Sequence, residues 1–446
     1  MIENISPKVC IIGGGVAGLS AAVFLVNEGV NVTLIEASPK FGGRAYSFFD
    51  KTLNEYIDNG QHILASWYHN TFEFLELIGS KDSLKVQDTL EISFADSNGN
   101  KYELKCPDIP PPFHLIKGIF SYKAVGLKEK TGIVKLMNAV IKNKFTDEEL
   151  KAITVSDLFQ LTKQGDSLIK NFWQPFIAAV FNAEPGETCA WYFTEMIKTG
   201  FLKKGGSNLV FPLKGLNELY VNKSMEYLES HNVKIISNCR INKISIENER
   251  ITSITTENDE RMLFDYYISA VPFFDFKSLL SDELYKNDYQ FIDCLKPSTI
   301  INIHLKYEAV NDTEISIKDF TGILNSTIQW VFKTGPNQLC IVISSANKLA
   351  DKDKEELISL TIEELKRSLP EFQNVSFIYS RVVKEKRATF LPDIDSVKSR
   401  PANKTRIKNF FITGDWTDTG LPATIESAVL SSKYCTKEVL KEINFQ

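Results

Sequence analysis

The chain is poor in the features that announce metal centres, disulfide frameworks and nucleic-acid surfaces. Its seven cysteines (Cys10, Cys106, Cys189, Cys239, Cys294, Cys340, Cys435) are scattered, odd in number and form no C-x-x-C pair. Such a set excludes a disulfide scaffold or a zinc site and fits reduced thiols in a cytoplasm-like compartment. The five histidines show no metal-ligand spacing. Positive charge is not in excess: 51 Lys and Arg face 56 Asp and Glu, a net charge of −5, which argues against nucleic acid as a partner. Long apolar runs are equally scarce. Residues 9–26 are uncharged and mostly apolar, but only Lys8 precedes them beside Glu3, and a glycine triplet interrupts them. That is neither a signal peptide nor a membrane span. Internal repeats and low-complexity tracts are absent. At 446 residues, two domains or two interwoven lobes are expected.

What is present is concentrated at the start. Val9-Cys10-Ile11-Ile12 reads as a buried parallel strand, and Gly13-Gly14-Gly15-Val16-Ala17-Gly18 follows as G-x-G-x-x-G. Residues 19–27 carry helical apolar spacing, and residues 30–35 form a second strand ending in Glu36. Strand, glycines, helix, strand and acid in this order specify a dinucleotide site. Gly13 permits the tight turn, Gly15 lets the backbone approach a pyrophosphate, and Gly18 lets helix and sheet pack closely. The pyrophosphate is expected on the helix N-terminus, where unpaired N–H groups and the dipole favour an anion. Glu36 is expected to accept hydrogen bonds from the adenosine ribose, and its charge disfavours NADP.

Phe41-Gly42-Gly43-Arg44 comes next. A second glycine pair is superfluous for NAD, but it suits FAD, whose longer arm can be gripped by Gly43 and the Arg44 fork. In Ile57-Asp58-Asn59-Gly60-Gln61-His62-Ile63-Leu64, polar residues sit between apolar ones, as at a strand end turning beside a buried site. Gly60 is expected to admit a flat ligand. His62 is suited to carry protons near neutral pH; a hydrogen-bonded structural histidine is the alternative.

Residues 68–78 read as a helix stopped by Gly79, and residues 90–104 as a hairpin about Asn98-Gly99-Asn100. The proline-rich stretch 107–114 leads into an apolar segment through Tyr122 with Lys117 and Lys123. It reads as a patch that dips into a membrane, as the gate of an apolar tunnel, or as a loop and helix packed on the core. Residues 145–213 are mostly helical, and Phe172-Trp173-Gln174-Pro175-Phe176 within them reads as pocket lining or as core. Helix 216–229, strand 233–236, a hairpin about Asn248-Glu249 and strand 266–271 then resume the first pattern. Strands 300–305, 328–332 and 339–343 and helix 352–368 make a second inserted stretch. The expected fold class is α/β: a discontinuous Rossmann-like FAD-binding domain (1–80, 215–272, 384–446) with an inserted α+β substrate domain (81–214, 273–383).

The last forty residues return to the cofactor. Residues 409–428 read as strand, glycine-acid turn and helix, with Pro422 near the helix's first turn. Asp415, after Gly414, is expected to accept from a ribityl hydroxyl. The helix start at Ala423 and Thr424 is expected to face the flavin N1/O2 edge and stabilise the reduced anion. Together these features favour FAD over NAD.

The glycine-rich start, Gly42-Gly43-Arg44 and the Gly414-Asp415 helix resemble the FAD-dependent amine oxidase and phytoene desaturase superfamily. Within it, Asp58-Asn59-Gly60-Gln61-His62, Phe172-Trp173-Gln174-Pro175, Lys384-Glu385-Lys386-Arg387-Ala388-Thr389-Phe390, Arg400-Pro401 and residues 413–428 are most similar to the hydroxysqualene dehydroxylase family. The resemblance runs end to end, although residues 120–150 and 310–355 are lysine-rich and carry no motif of it. It implies an apolar isoprenoid substrate, an allylic alcohol reduced to squalene by hydride from reduced flavin. Protonation of the leaving hydroxyl needs an acid, for which His62 and Asp58 are the candidates. A phytoene-type desaturase, with hydride moving the other way, is the alternative, and a flavin amine oxidase a weaker one. A lipid-dwelling substrate implies a cytoplasmic protein in peripheral contact with the inner face of the cytoplasmic membrane. No pattern identifies the redox partner.

Overall fold

The computed structural model describes residues 7–308, 315 and 317–444. Parts of the expected domains at 1–6, 309–314, 316 and 445–446 lie outside the described residues. Five parallel strands form the nucleotide sheet, in the order Lys234–Ile236, Asn31–Ile35, Lys8–Ile12, Tyr266–Ser269, Phe410–Ile412. The apolar runs of all but the edge strand Lys234–Ile236 are buried on both faces, as parallel sheets require. Helix Val16–Asn27 is buried from Val16 through Leu25 because helix Ile425–Asn444 covers its outer side. Three serines and threonines fasten that contact: Ser432 Oγ donates to Ala17 O at 2.7 Å, Ser20 Oγ to Ser432 Oγ at 2.9 Å, and Thr413 joins at 3.2 Å.

A seven-stranded sheet forms the second lobe, in the order Phe377–Phe390, Pro297–Tyr307, Gln338–Ile343, Trp330–Gly335, Phe320–Leu324, Glu91–Asp96, Lys101–Lys105. The pairings are antiparallel except that of Phe320–Leu324 with Glu91–Asp96. Strand alternation divides its faces. Ile301, Ile303, Leu305, Leu339, Ile341 and Ile343 pack under helix Lys354–Ser368. Asn302, His304 and Cys340 face the opposite way, toward the segment that carries His62.

Helices dominate residues 113–201. Asp166–Leu168, Ile169–Trp173 and Gln174–Phe181 run on as one helix with a π-type turn in the middle. The wide turn precedes Pro175, whose ring and missing N–H a regular turn would not accommodate. Trp173 is fully buried against Phe159, Phe172 and Phe193, so this aromatic stretch is mainly core. Asn182 ends the helix with φ +51° and ties it to the large sheet. It donates to Thr389 Oγ1 at 2.9 Å, accepts from Ser345 N at 2.6 Å through its side chain and from Ser298 Oγ at 2.6 Å through its carbonyl.

Several expectations need correction. Phe320–Leu324 was not expected as a strand, because full burial removes its alternation. Strand Phe377–Phe390 crosses the expected domain boundary at 383/384; it lies at the edge of the large sheet. Helix Ile425–Asn444 starts two residues after Ala423, with Pro422 just ahead of its first turn. Thr424 Oγ1 accepts from Ser427 N at 3.1 Å, so Thr424 is the cap that fixes the start.

Hairpin Ser47–Asp50/Glu55–Asp58 leans on the large sheet through two carboxylates, Glu55 accepting from Gln338 Nε2 and Asp50 from the edge strand. The buried Asp50 accepts from Tyr379 OH (2.6 Å), Arg381 (2.9 Å), Thr52 N (2.9 Å) and Leu53 N (3.0 Å). Burial pushes its pKa up, but the donors outweigh burial and hold it below its ordinary value. A depressed folded-state pKa contributes stability that is present above the unfolded value and lost as pH falls through the folded one. Asp50→Ala is expected to cost ~3 kcal/mol at neutral pH. Asp50→Asn should flatten the fall in melting temperature below about pH 4. Thermal melts across an acid pH series check both; identical acid limbs in wild type and Asp50→Asn would remove Asp50 from this role.

Candidate active site

The nucleotide end is built by close backbone approach. Gly13 has φ +110°, and a Cβ there would lie 3.0 Å from Ala270 backbone atoms. Gly18 lies against the same turn: its Cβ would stand 1.8 Å from Gly13 O. The 41–44 loop folds onto the turn, with Gly42 N donating to Gly14 O at 2.8 Å and a bridge between Gly15 and Gly42. Gly43 has φ +61° and packs its Cα near Gly15. Gly14 also has a purpose, since the Phe41 ring would be 2.4 Å from a Cβ there. Gly15 differs from all of these. A Cβ on it would meet only Gly43 Cα, at 3.7 Å, so space stands open above the start of helix Val16–Asn27. That cradle, with free N–H groups beneath it, fits a pyrophosphate.

Glu36 closes the second strand as expected of a ribose-binding acid. Its oxygens accept from Gly14 N at 2.6 Å and Ser38 N at 2.8 Å, which fixes the carboxylate beside the turn with further lone pairs available. Arg44 and Asp415, 371 residues apart, form an ion pair at 2.5 Å. Arg44 also donates to Ala388 O at 2.8 Å, so strand Phe377–Phe390 reaches the site. Glu385 on that strand lies near Arg44 and Tyr46; burial raises its pKa, and Arg44 moderates the rise. Gly414 (φ +149°) turns the chain ahead of Asp415 and donates to Ser431 Oγ at 3.0 Å. Ala423 and Thr424 stand just ahead of helix Ile425–Asn444.

The polar segment after strand Glu55–Asp58 behaves differently from expectation in two places. Asp58 Oδ1 accepts from Ser47 Oγ at 2.6 Å and from Leu216 N at 2.9 Å. The carboxylate therefore tethers the chain to the start of the helical turn at Asn217–Asn222, a positioning role beside the expected one as acid, while burial raises its pKa against the Ser47 and Leu216 hydrogen bonds. Gly60 does not admit a flat ligand at its Cβ position, because the Asn302 side chain already lies 2.5 Å from that point. Its lack of a side chain serves sheet packing. His304 and Cys340 approach the backbone at Asp58 and Gln61 from the same face of the large sheet.

His62 is the second titratable group of the segment. Its Nδ1 lies 3.1 Å from Gly60 O; with Nδ1–H donating there, Nε2 is left to exchange a proton with a ligand. Burial lowers its pKa, and the Gly60 carbonyl and Asp58 oppose the shift.

Sequence reasoning missed three contributors. Asn59 Nδ2 donates to Arg44 O at 2.9 Å, joining the His62 segment to the cofactor loop. Asn302 Oδ1 is buried without a partner. Arg400 is buried and organises the entire 415–421 turn, donating to Asp415 O (3.0 Å), Thr419 Oγ1 (3.0 Å), Leu421 O (2.7 Å), Tyr192 OH (3.1 Å) and Thr417 O. Only the following Pro401 marked it; its partners lie 15 to 21 residues on or on another lobe.

A parallel sheet with an open glycine cradle, a ribose acid and a returning Gly-Asp turn defines an FAD-dependent oxidoreductase. The sequence profile of the flavin-containing amine oxidoreductases matches residues 16–440, and the chain belongs to that family. It is 29% identical to a hydroxysqualene dehydroxylase of Zymomonas mobilis, over 95% of this chain and 96% of that one. It is 24% identical to a 15-cis-phytoene desaturase of an Oncidium hybrid, over 99% of this chain and 79% of that one. Among solved structures, cyclohexylamine oxidase from Brevibacterium oxydans shares the fold, with a TM-score of 0.69 at 13% identity over 98% and 100% of the two chains. The chain is thus an FAD-dependent oxidoreductase related to hydroxysqualene dehydroxylases and phytoene desaturases.

Proposed function

We propose that this flavoenzyme reduces hydroxysqualene to squalene. The observation that carries the reading is the half-buried imidazole of His62, its Nδ1 fixed on the Gly60 carbonyl and its segment tied through Asn59 to the loop that holds Arg44. Removal of a hydroxyl needs a proton donor, whereas desaturation does not. Similarity along nearly the whole chain to a hydroxysqualene dehydroxylase supports the same choice.

FAD would be held in the cradle above Gly15 by Glu36, Arg44 and Asp415, and in its reduced form would supply the hydride. The protein's own residues do the rest. Protonated His62 gives its Nε2 proton to the substrate oxygen, the allylic C–O bond breaks, and water departs. The resulting carbon cation, delocalised over the alkene, takes the hydride and closes the electron balance. An external two-electron donor must then restore the reduced flavin. The Gly60 carbonyl orients the imidazole, the nearby Asp58 favours its charged form, and the large sheet packs behind the segment through Asn302.

The decisive experiment is anaerobic. Photoreduced holoenzyme mixed with hydroxysqualene should recover the oxidised flavin band near about 450 nm as squalene forms. A reduced flavin that stays reduced, with oxidised enzyme bleached by phytoene instead, would make the protein a desaturase. Because burial lowers the His62 pKa, its acid form accumulates only below the ordinary histidine range. Single-turnover rates should therefore rise as pH falls below neutrality. His62→Ala should keep its flavin, lose roughly a hundredfold in rate and lose this pH dependence. An unchanged rate and profile would exclude His62 as the acid.

A further inference from the structure

The geometry points to a membrane-docking face on the helical lobe, formed by residues 113–142 and suited to an anionic lipid bilayer. Phe113, Phe120, Leu127, Val134 and Ile141 recur at intervals of seven residues, and all five side chains are exposed, Leu127 at 73%. Helix Phe113–Ser121 buries His114, Leu115, Gly118 and Ile119, and Gly118 sits so close to Cys106 that a Cβ would lie 2.5 Å from its Sγ. Its outer stripe is Phe113, Lys117 and Phe120. Helix Thr131–Ile141 repeats the arrangement, with Ile133, Leu136, Met137 and Val140 inward and Val134 and Ile141 outward.

Slack in the chain does not explain the exposure. The loop bearing Leu127 is anchored by Gly126 N to Ser167 Oγ (3.0 Å), Asn171 Nδ2 to Ala124 O (2.6 Å), and Ser167 N to the Glu129 carboxylate (2.5 Å). Lys130 Nζ donates to Phe120 O at 2.8 Å, which ties the loop to the end of the first helix. Polar bonds thus hold an apolar side chain out into solvent.

Charge identifies the occupant. Residues 113–144 contain seven lysines and one glutamate, net +6, in a chain whose net charge is −5. Among the described residues, Lys117, Lys123 and Lys128 are exposed and make no ion pair. Exposed phenyl and leucyl groups interleaved with unpaired lysines match the acyl boundary and phosphate layer of an anionic bilayer. A dimer face built of the same surface would bring like charges together. The inference goes beyond the proposed reaction and stands or falls without it.

Flotation of the holoenzyme at low salt with vesicles of phosphatidylcholine, with and without phosphatidylglycerol, tests it. Binding to the anionic vesicles is expected, and reversal at Lys117, Lys123 and Lys128 to Glu should weaken it by about fivefold or more per lysine. Phe113→Ser, Phe120→Ser and Leu127→Ser together should leave only weak association that salt abolishes. Retained flavin absorbance certifies the fold of each variant, and the charge variants keep the test valid should the serine variant misfold. Binding to neither vesicle, or binding indifferent to both sets of changes, would overturn the inference. So would a concentration-dependent dimer, seen by sedimentation velocity, that the serine changes dissolve.

Discussion

Arg400→Ala is expected to yield a protein that no longer retains flavin and melts at a markedly lower temperature. The guanidinium is buried and has no carboxylate partner among its hydrogen bonds; it satisfies three backbone carbonyls and two hydroxyls and lies 4.8 Å from the Phe390 ring. Its removal leaves several buried acceptors without donors, each worth about 1–3 kcal/mol, so the loss should reach on the order of 4 kcal/mol or more. The damage falls on one loop, that which sets the direction of Asp415. Arg400→Lys should recover little, because an ammonium cannot span acceptors arranged for a planar fork. Calorimetry and flavin-to-protein absorbance ratios check this. A variant with wild-type flavin content would show that the 415–421 turn holds its shape without Arg400.

Gly15 and Gly18 should fail in opposite ways, although both belong to one motif. Gly15 has φ −73° and ψ 179°, a conformation that valine adopts readily, and almost nothing stands where its Cβ would go. Gly15→Val should therefore fold, with near-native melting, and lose FAD affinity by on the order of a hundredfold or more as the side chain fills the cradle. Gly18→Ala drives a methyl into Gly13 O at 1.8 Å and against Ala270 Cβ at 3.3 Å. The helix must move off the sheet, at a cost of ~3 kcal/mol. Titration of apoprotein with FAD, beside urea denaturation, separates the outcomes. Equal flavin affinity in Gly15→Val and wild type would place the pyrophosphate elsewhere.

The cofactor end was legible because its chemistry is local. Gly13 to Glu36 is a single strand–turn–helix–strand unit, so the order of residues along the chain already states their order in space. The hairpin at Asn248-Glu249 was legible for a similar reason; both residues have positive φ, as a tight primed turn demands. Strand Phe320–Leu324 was not, since a strand buried on both faces shows no period. Gly60 misled for a further reason. A glycine reports only that something comes close, and here it is Asn302, brought in by a strand more than two hundred residues away.

The sequence by itself determined the fold class, the FAD cradle and the acid beside it. These depend on backbone conformations and spacings that neighbouring residues dictate. Tertiary structure alone decided that Arg44 meets Asp415, that Asp58 tethers a helix while His62 keeps a free nitrogen, and that Arg400 shapes the returning turn. Each of these rests on side chains from distant elements meeting across packed sheets. Which partner a polar group finds depends on which elements the core brings together, and that follows from the burial of the whole chain rather than from any one stretch of it.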